Sequence, residues 1–215
     1  QVFSLWLQGG GDHGSSGQSR HDVGVRLHNN GVSFRSPHDG SKHYFTPKWV
    51  VDIQSALWSD IMMMLDVCSP AWADKQTFYQ HMLLTHAWAR EQYNYMDSVY
   101  DQVRWVLFPI VQWWSNLEFR DESLSTLSWY ARDGIAVWWV SVGEPEDVKK
   151  EVVSFCGPRL PGHVPRYLMG VWTPEDLLFA VEHGFDMFDC VMATRLGRHG
   201  VAFSKKKWYE GEFVQ

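Results

Sequence analysis

The sequence predicts an α/β fold of barrel type, and three observations carry that prediction. From Thr46 to Thr194, segments of helical spacing alternate with short apolar runs, giving five βα units in a row; such an order implies a parallel sheet with right-handed crossovers. The apolar runs are continuous rather than alternating, which suits strands covered on both faces. Within that alternation no GxGxxG follows the first strand, and there is no P-loop, which disfavours a nucleotide-binding doubly wound sheet and favours a (β/α)8 barrel of the TIM type.

Residues 9–43 are rich in Gly, Ser, His and Asn, and VGVRL and GVSFRS within them read as strands or hairpin pieces joined by turns. TPKWVVDIQSAL reads as a short helix with Thr46 as N-cap and Pro47 at the first helical position, where its missing N–H does no harm. A strand follows in DIMMMLDV, ending in Asp66. Helical spacing resumes from Ala73 through FYQHMLLTHAWAREQY and gives way to the apolar run WVLFPIVQ, ending in Gln112. NLEFRDESLSTLSWYARD is then predicted helical and GIAVWWVSV a strand; EPEDVKKEVVSFC is helical and RYLMGV a strand; TPEDLLFAVEHG is helical and MFDCVMAT a strand. A single domain is expected over residues 1–215.

With 45% hydrophobic and 20% charged residues, the composition is that of an ordinary soluble globular protein. The opening residues lack the basic and apolar regions of a signal peptide, and charges or prolines interrupt every apolar stretch short of the roughly 20 residues that cross a bilayer. A cytoplasmic protein with no membrane span is expected. Cys68, Cys156 and Cys190 are odd in number and far apart, so they read as reduced thiols rather than a disulfide framework or zinc knuckle. A net charge of −6 argues against a protein that coats nucleic acid indiscriminately. It leaves room for a local patch in Arg195, Arg198, Lys205, Lys206 and Lys207, which otherwise is solvated loop charge.

Chemistry in such barrels gathers at the carboxyl ends of the strands. There the sequence places Asp66, Gln112, Ser141 with Glu144, Gly170 and Asp189. A carboxylate ending an apolar strand is costly to bury without partners, so Asp66 and Asp189 either serve a site, cap the following helix or pair with an arginine. Gln112 offers a donor and an acceptor, which suits reading a nucleobase edge and equally suits anchoring a loop. Cys68 and Cys190 follow their carboxylates closely, but a buried cysteine is usually only a small hydrophobe.

The strings DGSKHYFTP, SDIMMMLDVCSP, LFPIVQ, SVGEP, PRYLMGV, TPEDL and DMFDCVMATRLGRHG occur in one order over nearly the whole chain. In that order and spacing the chain resembles the tRNA-guanine transglycosylases, most of all their bacterial branch. The resemblance implies exchange of guanine in the tRNA anticodon loop for a queuine precursor, a 7-deazaguanine base of the preQ1 type, through a covalent aspartate–ribose intermediate. It implies that Asp189 is the nucleophile, that Asp66, Cys68 and Gln112 read the base, that the backbone around Val140 and Gly170 lines the pocket, and that Arg195 and Arg198 anchor tRNA phosphates. Members of the family tend to form dimers, so a homodimer is one alternative for an oligomeric state that the sequence leaves open.

The resemblance also implies parts outside this chain. An Asp-Ser-Gly-Gly-aromatic segment, carrying a second catalytic carboxylate and a ring that stacks on the base, is expected immediately before Gln1. A cysteine- and histidine-rich zinc element is expected after Gln215. On that expectation the barrel is incomplete, lacking N-terminal strands and the C-terminal zinc element; Zn2+ belongs to the full-length protein, and no metal ligand falls in this chain.

Tryptophan is the departure, with 13 in 215 residues. The resemblance implies glycine where the chain has Trp58, Trp113, Trp138, Trp139 and Trp172, with Trp114 and Trp208 in the same set, and indoles there would fill the pocket. Three explanations stand. A codon read as glycine in the source organism is written as tryptophan; or the chain is a non-catalytic tRNA-binding relative or partner subunit with a filled pocket; or the gene is degraded.

Overall fold

In the computed structural model the described residues are 25–36, 38–69, 73–99, 105–112, 116–138, 146–171 and 173–203. The chain forms two units, Gln1–Leu107 and Phe108–Gln215. Ser141, Val140, Glu144, Trp113, Trp114, Trp139, Trp172, Trp208 and Lys205 to Lys207 lie outside the described residues. No helix among the described residues is long and apolar enough to cross a membrane.

The first unit opens with an antiparallel sheet of β1 (Val25–His28), β2 (Gly31–Arg35) and β3 (Lys42–Phe45) in sequential order, so VGVRL and GVSFRS do supply strands. Helix α1 (Pro47–Ala56) starts as its sequence dictates, with Thr46 Oγ1 accepting the Trp49 N–H at 3.1 Å and Pro47 just inside. Helix α2 (Lys75–Val99) buries Met82, Trp88, Ala89, Tyr93 and Met96, and the Trp88 indole donates to Asn29 O at 2.9 Å, tying the β1–β2 turn to the helix.

Two predicted strands of this region change. DIMMMLDV is a strand only over β4 (Ile61–Met63), with residues 64–69 outside regular structure, and WVLFPIVQ breaks at Pro109 into β5 (Val106–Phe108) and β6 (Ile110–Val111). Proline has no N–H for the ladder, so the run divides between two sheets: β5 pairs with β4, whereas β6 joins the sheet of the second unit.

The second unit is a parallel sheet in the order β6-β7-β8-β9, with β7 (Ile135–Trp138), β8 (Arg166–Met169) and β9 (Met187–Phe188). Among the described residues, consecutive strands of this sheet are neighbours. The intervening helices are α3 (Leu117–Leu127), α4 (Glu146–Cys156) and α5 (Pro174–Glu182), followed by α6 (Met192–Arg198). TPEDL forms a capping box in which Asp176 N–H donates to Thr173 Oγ1 and Thr173 N–H donates back to Asp176 Oδ2. Ile135, Ala136, Val137, Leu168, Val152, Val153 and Ala180 are fully buried, as strands covered by helices require. MFDCVMAT is corrected here: the strand stops at Phe188, and Met192, Ala193 and Thr194 already belong to α6.

Candidate active site

The register of the parallel sheet aligns the predicted residues of the second unit. Val111 pairs with Val137, Trp138 with Met169, and Leu168 with Phe188. One residue further along, Gln112, Trp138, Met169 and Asp189 therefore form one row at the carboxyl edge. This is where a parallel α/β sheet leaves its strand ends open to solvent.

Asp189 is exposed, but one of its oxygens is held. Oδ1 accepts the Tyr167 hydroxyl at 2.7 Å and the Gly170 N–H at 2.9 Å. Gly170 has φ +80°, a left-handed conformation that glycine adopts without cost. The Tyr167 hydroxyl is held firmly as a donor: its pKa is raised by burial, and further by its bond to the Asp189 carboxylate and that group's charge. Beside Asp189 lies a cavity of about 180 Å³ lined by Trp138, Gly170, Asp189, Cys190, Met192 and Arg195, among others.

The structure thus brings Asp189, Gly170 and Arg195 together. Arg198 is exposed one turn further along α6, outside that lining. Gln112 stands in the same edge row but is only 3% exposed, and its Nε2 is a buried donor with no hydrogen-bond partner among the described residues. A buried amide in that condition costs free energy unless a ligand or water meets it. Arg120, which sequence reasoning passed over, is fully buried; its Nη2 donates to the carbonyl of Trp138 at 3.3 Å, so a cation braces the strand that ends at the row.

Asp66 and Cys68 belong to the first unit and are described within it. Both are part-buried. Burial pushes the Asp66 carboxyl up to about 7, against the opposing effect of its own backbone N–H. Burial, followed by the nearby Asp66 charge, raises the Cys68 thiol, so the group is a neutral S–H. Asp66 does not end a strand, as predicted, but lies three residues past Met63. The segment is held by side chains of α1 and α2. Leu65 N–H donates to Gln92 Oε1 at 2.7 Å, Val67 N–H to Thr85 Oγ1 at 3.0 Å, and Ser69 Oγ lies 2.7 Å from His81 Nδ1.

Tyr167 was missed in the sequence because its partner lies on another strand. Its signal was position: Tyr167 pairs with Met187, two residues before Asp189, which lies just past the end of β9. Among the described residues no group of three or more His, Cys, Asp or Glu side chains could hold a metal ion.

Comparison with known proteins gives the family of the chain. The family model described as queuine tRNA-ribosyltransferase matches residues 15–212. The chain is similar to the queuine tRNA-ribosyltransferase of Dechloromonas aromatica (strain RCB), 42% identical over 178 residues that cover 81% of this chain and 47% of the relative. It is similar to that of Lawsonia intracellularis (strain PHE/MN1-00), 44% identical over 182 residues, covering 84% and 48%. With that of Azoarcus sp. (strain BH72) it shares 37% identity over 225 residues, covering 95% and 60%. The chain therefore spans about half the length of the curated relatives it matches. A family model that covers nearly all of the chain, with relatives of this identity, makes it a member of the queuine tRNA-ribosyltransferase family.

Proposed function

We propose that this chain is the central part of a tRNA-guanine transglycosylase, one domain of a (β/α)8 barrel, and that Asp189 is its nucleophile. The observation that carries the reading is the clamp on one oxygen of an otherwise exposed carboxylate at the mouth of a cavity. With Oδ1 held by Tyr167 and Gly170, Oδ2 is left to attack the ribose C1′. Guanine leaves with the bond electrons, and an ester joins Asp189 to the sugar. The incoming base then attacks C1′ from the opposite face and displaces the carboxylate, so two inversions preserve the anomeric configuration, as in retaining glycosidases. The two donors on Oδ1 also favour that departure, because they stabilise the charge returning to the carboxylate.

In this reading Gln112 contributes its partnerless Nε2–H to a purine edge, and Asp66, half-protonated near neutrality, can both donate and accept beside Cys68. Val140 and Gly170 line the base pocket. Arg195 and Arg198 meet tRNA phosphates with charge-assisted hydrogen bonds. The target base must leave its stack to enter such a site. The incoming base is of the 7-deazaguanine class and the working assembly a cytoplasmic homodimer; zinc is expected in the whole protein, and no step above passes through it.

The test is exchange of labelled guanine into tRNA by the whole protein. Asp189→Asn is expected to abolish it, and retained exchange in that variant would remove Asp189 from the mechanism. A second reading, a non-catalytic tRNA-binding relative, is favoured by Trp138, whose indole shares the cavity with Asp189. It predicts tRNA binding with no exchange by the unaltered protein.

A further inference from the structure

Residues Met63 to Ser69 are paired along one edge by side chains instead of by a strand. Gln54 meets both backbone groups of Met63, Oε1 accepting its N–H and Nε2 donating to its carbonyl, each at 2.8 Å. Gln92 does the same for Leu65, accepting its N–H at 2.7 Å and donating to its carbonyl at 3.3 Å. Thr85 takes the Val67 N–H, and His81 meets the Ser69 hydroxyl. The tied residues alternate, which is the pattern of one edge of an extended chain, so Asp66 and Cys68, two apart, share a face. His81, Thr85 and Gln92 come from one helix at spacings of four and seven, a polar stripe on the inward side of α2 where Thr85 and Gln92 are fully buried.

We infer that this stripe is a positioning device: Thr85 and Gln92, with Gln54 and His81, set the placement of Asp66 and Cys68 for base recognition. The inference rests on the proposed role of Asp66 and Cys68. Thr85→Val keeps the volume but leaves the buried Val67 N–H without its acceptor. It is expected to raise KM for guanine about tenfold, one hydrogen bond's worth, with kcat little changed; Thr85→Ser, which restores the acceptor, should return KM to near its original value. A melting temperature that falls in Thr85→Val while KM stays unchanged would show a merely structural hydroxyl and overturn the inference. Asp66→Asn separates the two failures: if it leaves KM for guanine unchanged, base reading by Asp66 is wrong. The stripe is then judged by NMR titration of the Asp66 carboxyl, which should move in Thr85→Val.

A different observation concerns position 58. Three helices end in the same way. After α5, Gly184 N–H donates to Val181 O at 2.9 Å and Phe185 N–H to Ala180 O at 3.1 Å. After α6, Gly200 N–H donates to Gly197 O at 3.2 Å and Val201 N–H to Leu196 O at 3.0 Å. After α1, Trp58 N–H donates to Ser55 O at 3.0 Å and Ser59 N–H to Gln54 O at 3.1 Å. All three are Schellman caps, whose turning residue is left-handed and usually glycine. Here those residues have φ of +91°, +67° and +60°, and Trp58 is the one non-glycine residue with positive φ among the described residues. Its indole is 71% exposed, so burial offsets little of the cost. Trp88 is the opposite case, 1% exposed with its indole N–H bonded.

The geometry points to two kinds of tryptophan in this sequence: Trp88 is made as tryptophan, whereas the codon written as Trp58 is read as glycine in the source cell. Peptide mass spectrometry of the protein isolated from its own organism, covering both positions, is expected to find glycine at 58 and tryptophan at 88. Tryptophan at both would overturn the inference. In the whole protein expressed with tryptophan throughout, Trp58→Gly should raise the melting temperature by roughly 2–8 °C, and Trp88→Gly should lower it; no rise in Trp58→Gly would count against a glycine site.

Discussion

Tyr167 reaches Asp189 from the neighbouring strand, its hydroxyl 2.7 Å from the oxygen that Gly170 also holds. The parallel register makes this contact, because Tyr167 lies opposite Met187, one side-chain repeat below the carboxylate. A nucleophile held at one oxygen keeps its second oxygen aimed, and the same donor assists its departure. Tyr167→Phe is therefore predicted to lower kcat for guanine exchange by roughly 10–100-fold, the worth of a hydrogen bond to a charged group, with KM for tRNA little changed. Steady-state kinetics checks it, and an unchanged kcat would detach Tyr167 from the chemistry.

Asp66 gives a pH dependence with a definite sign. Its folded carboxyl titrates at about 7, above the ordinary carboxylate value near 4. Between those values the folded chain binds the proton more tightly than the unfolded chain does, so this group lowers stability as pH rises, fully so above about 7. Asp66→Asn is predicted to melt higher than the parent above pH 7, with the difference shrinking toward pH 4. His86, whose pKa is lowered to about 4 by burial, acts oppositely in both proteins and largely cancels in the comparison. A difference that does not vary with pH would contradict the assignment.

Gly134 precedes β7, and a Cβ there would stand 2.0 Å from Cζ of Phe108, whose ring is fully buried. Gly134→Ala is predicted to destabilise the fold by roughly 1–3 kcal/mol through overpacking. Gly197, inside α6, has nothing within 4 Å of its added Cβ, and Gly197→Ala should stabilise by about 0.5–1 kcal/mol. Urea denaturation of the pair checks both signs.

Local chemistry was legible in the sequence where it acts within a few residues. Thr46 with Pro47 sets its helix start as predicted, and Thr173 with Asp176 does so by the same local chemistry, since a cap reaches only three residues ahead. The βα alternation was legible for the same reason. Strand ends were not: DIMMMLDV reads as a long strand, yet what holds its second half is Gln92, 27 residues from Leu65, and Thr85, 18 from Val67. Pro109 was visible, but only the sheet topology shows that it parts two sheets. At the site, Asp189, Gly170 and Arg195 line one cavity: Asp189 and Gly170 follow neighbouring strands of one sheet, and Arg195 lies on the helix that comes next. Tyr167 escaped, since its contact depends on register between strands.

The most direct measurement is capture of the covalent intermediate. Whole protein and substrate tRNA are mixed without acceptor base, quenched in denaturant, and the nucleotide-bearing peptide is identified by mass spectrometry. A ribose linked to Asp189 in the unaltered protein, and no adduct in Asp189→Asn, is the predicted result; an adduct on another residue, or one that persists in Asp189→Asn, would contradict the account.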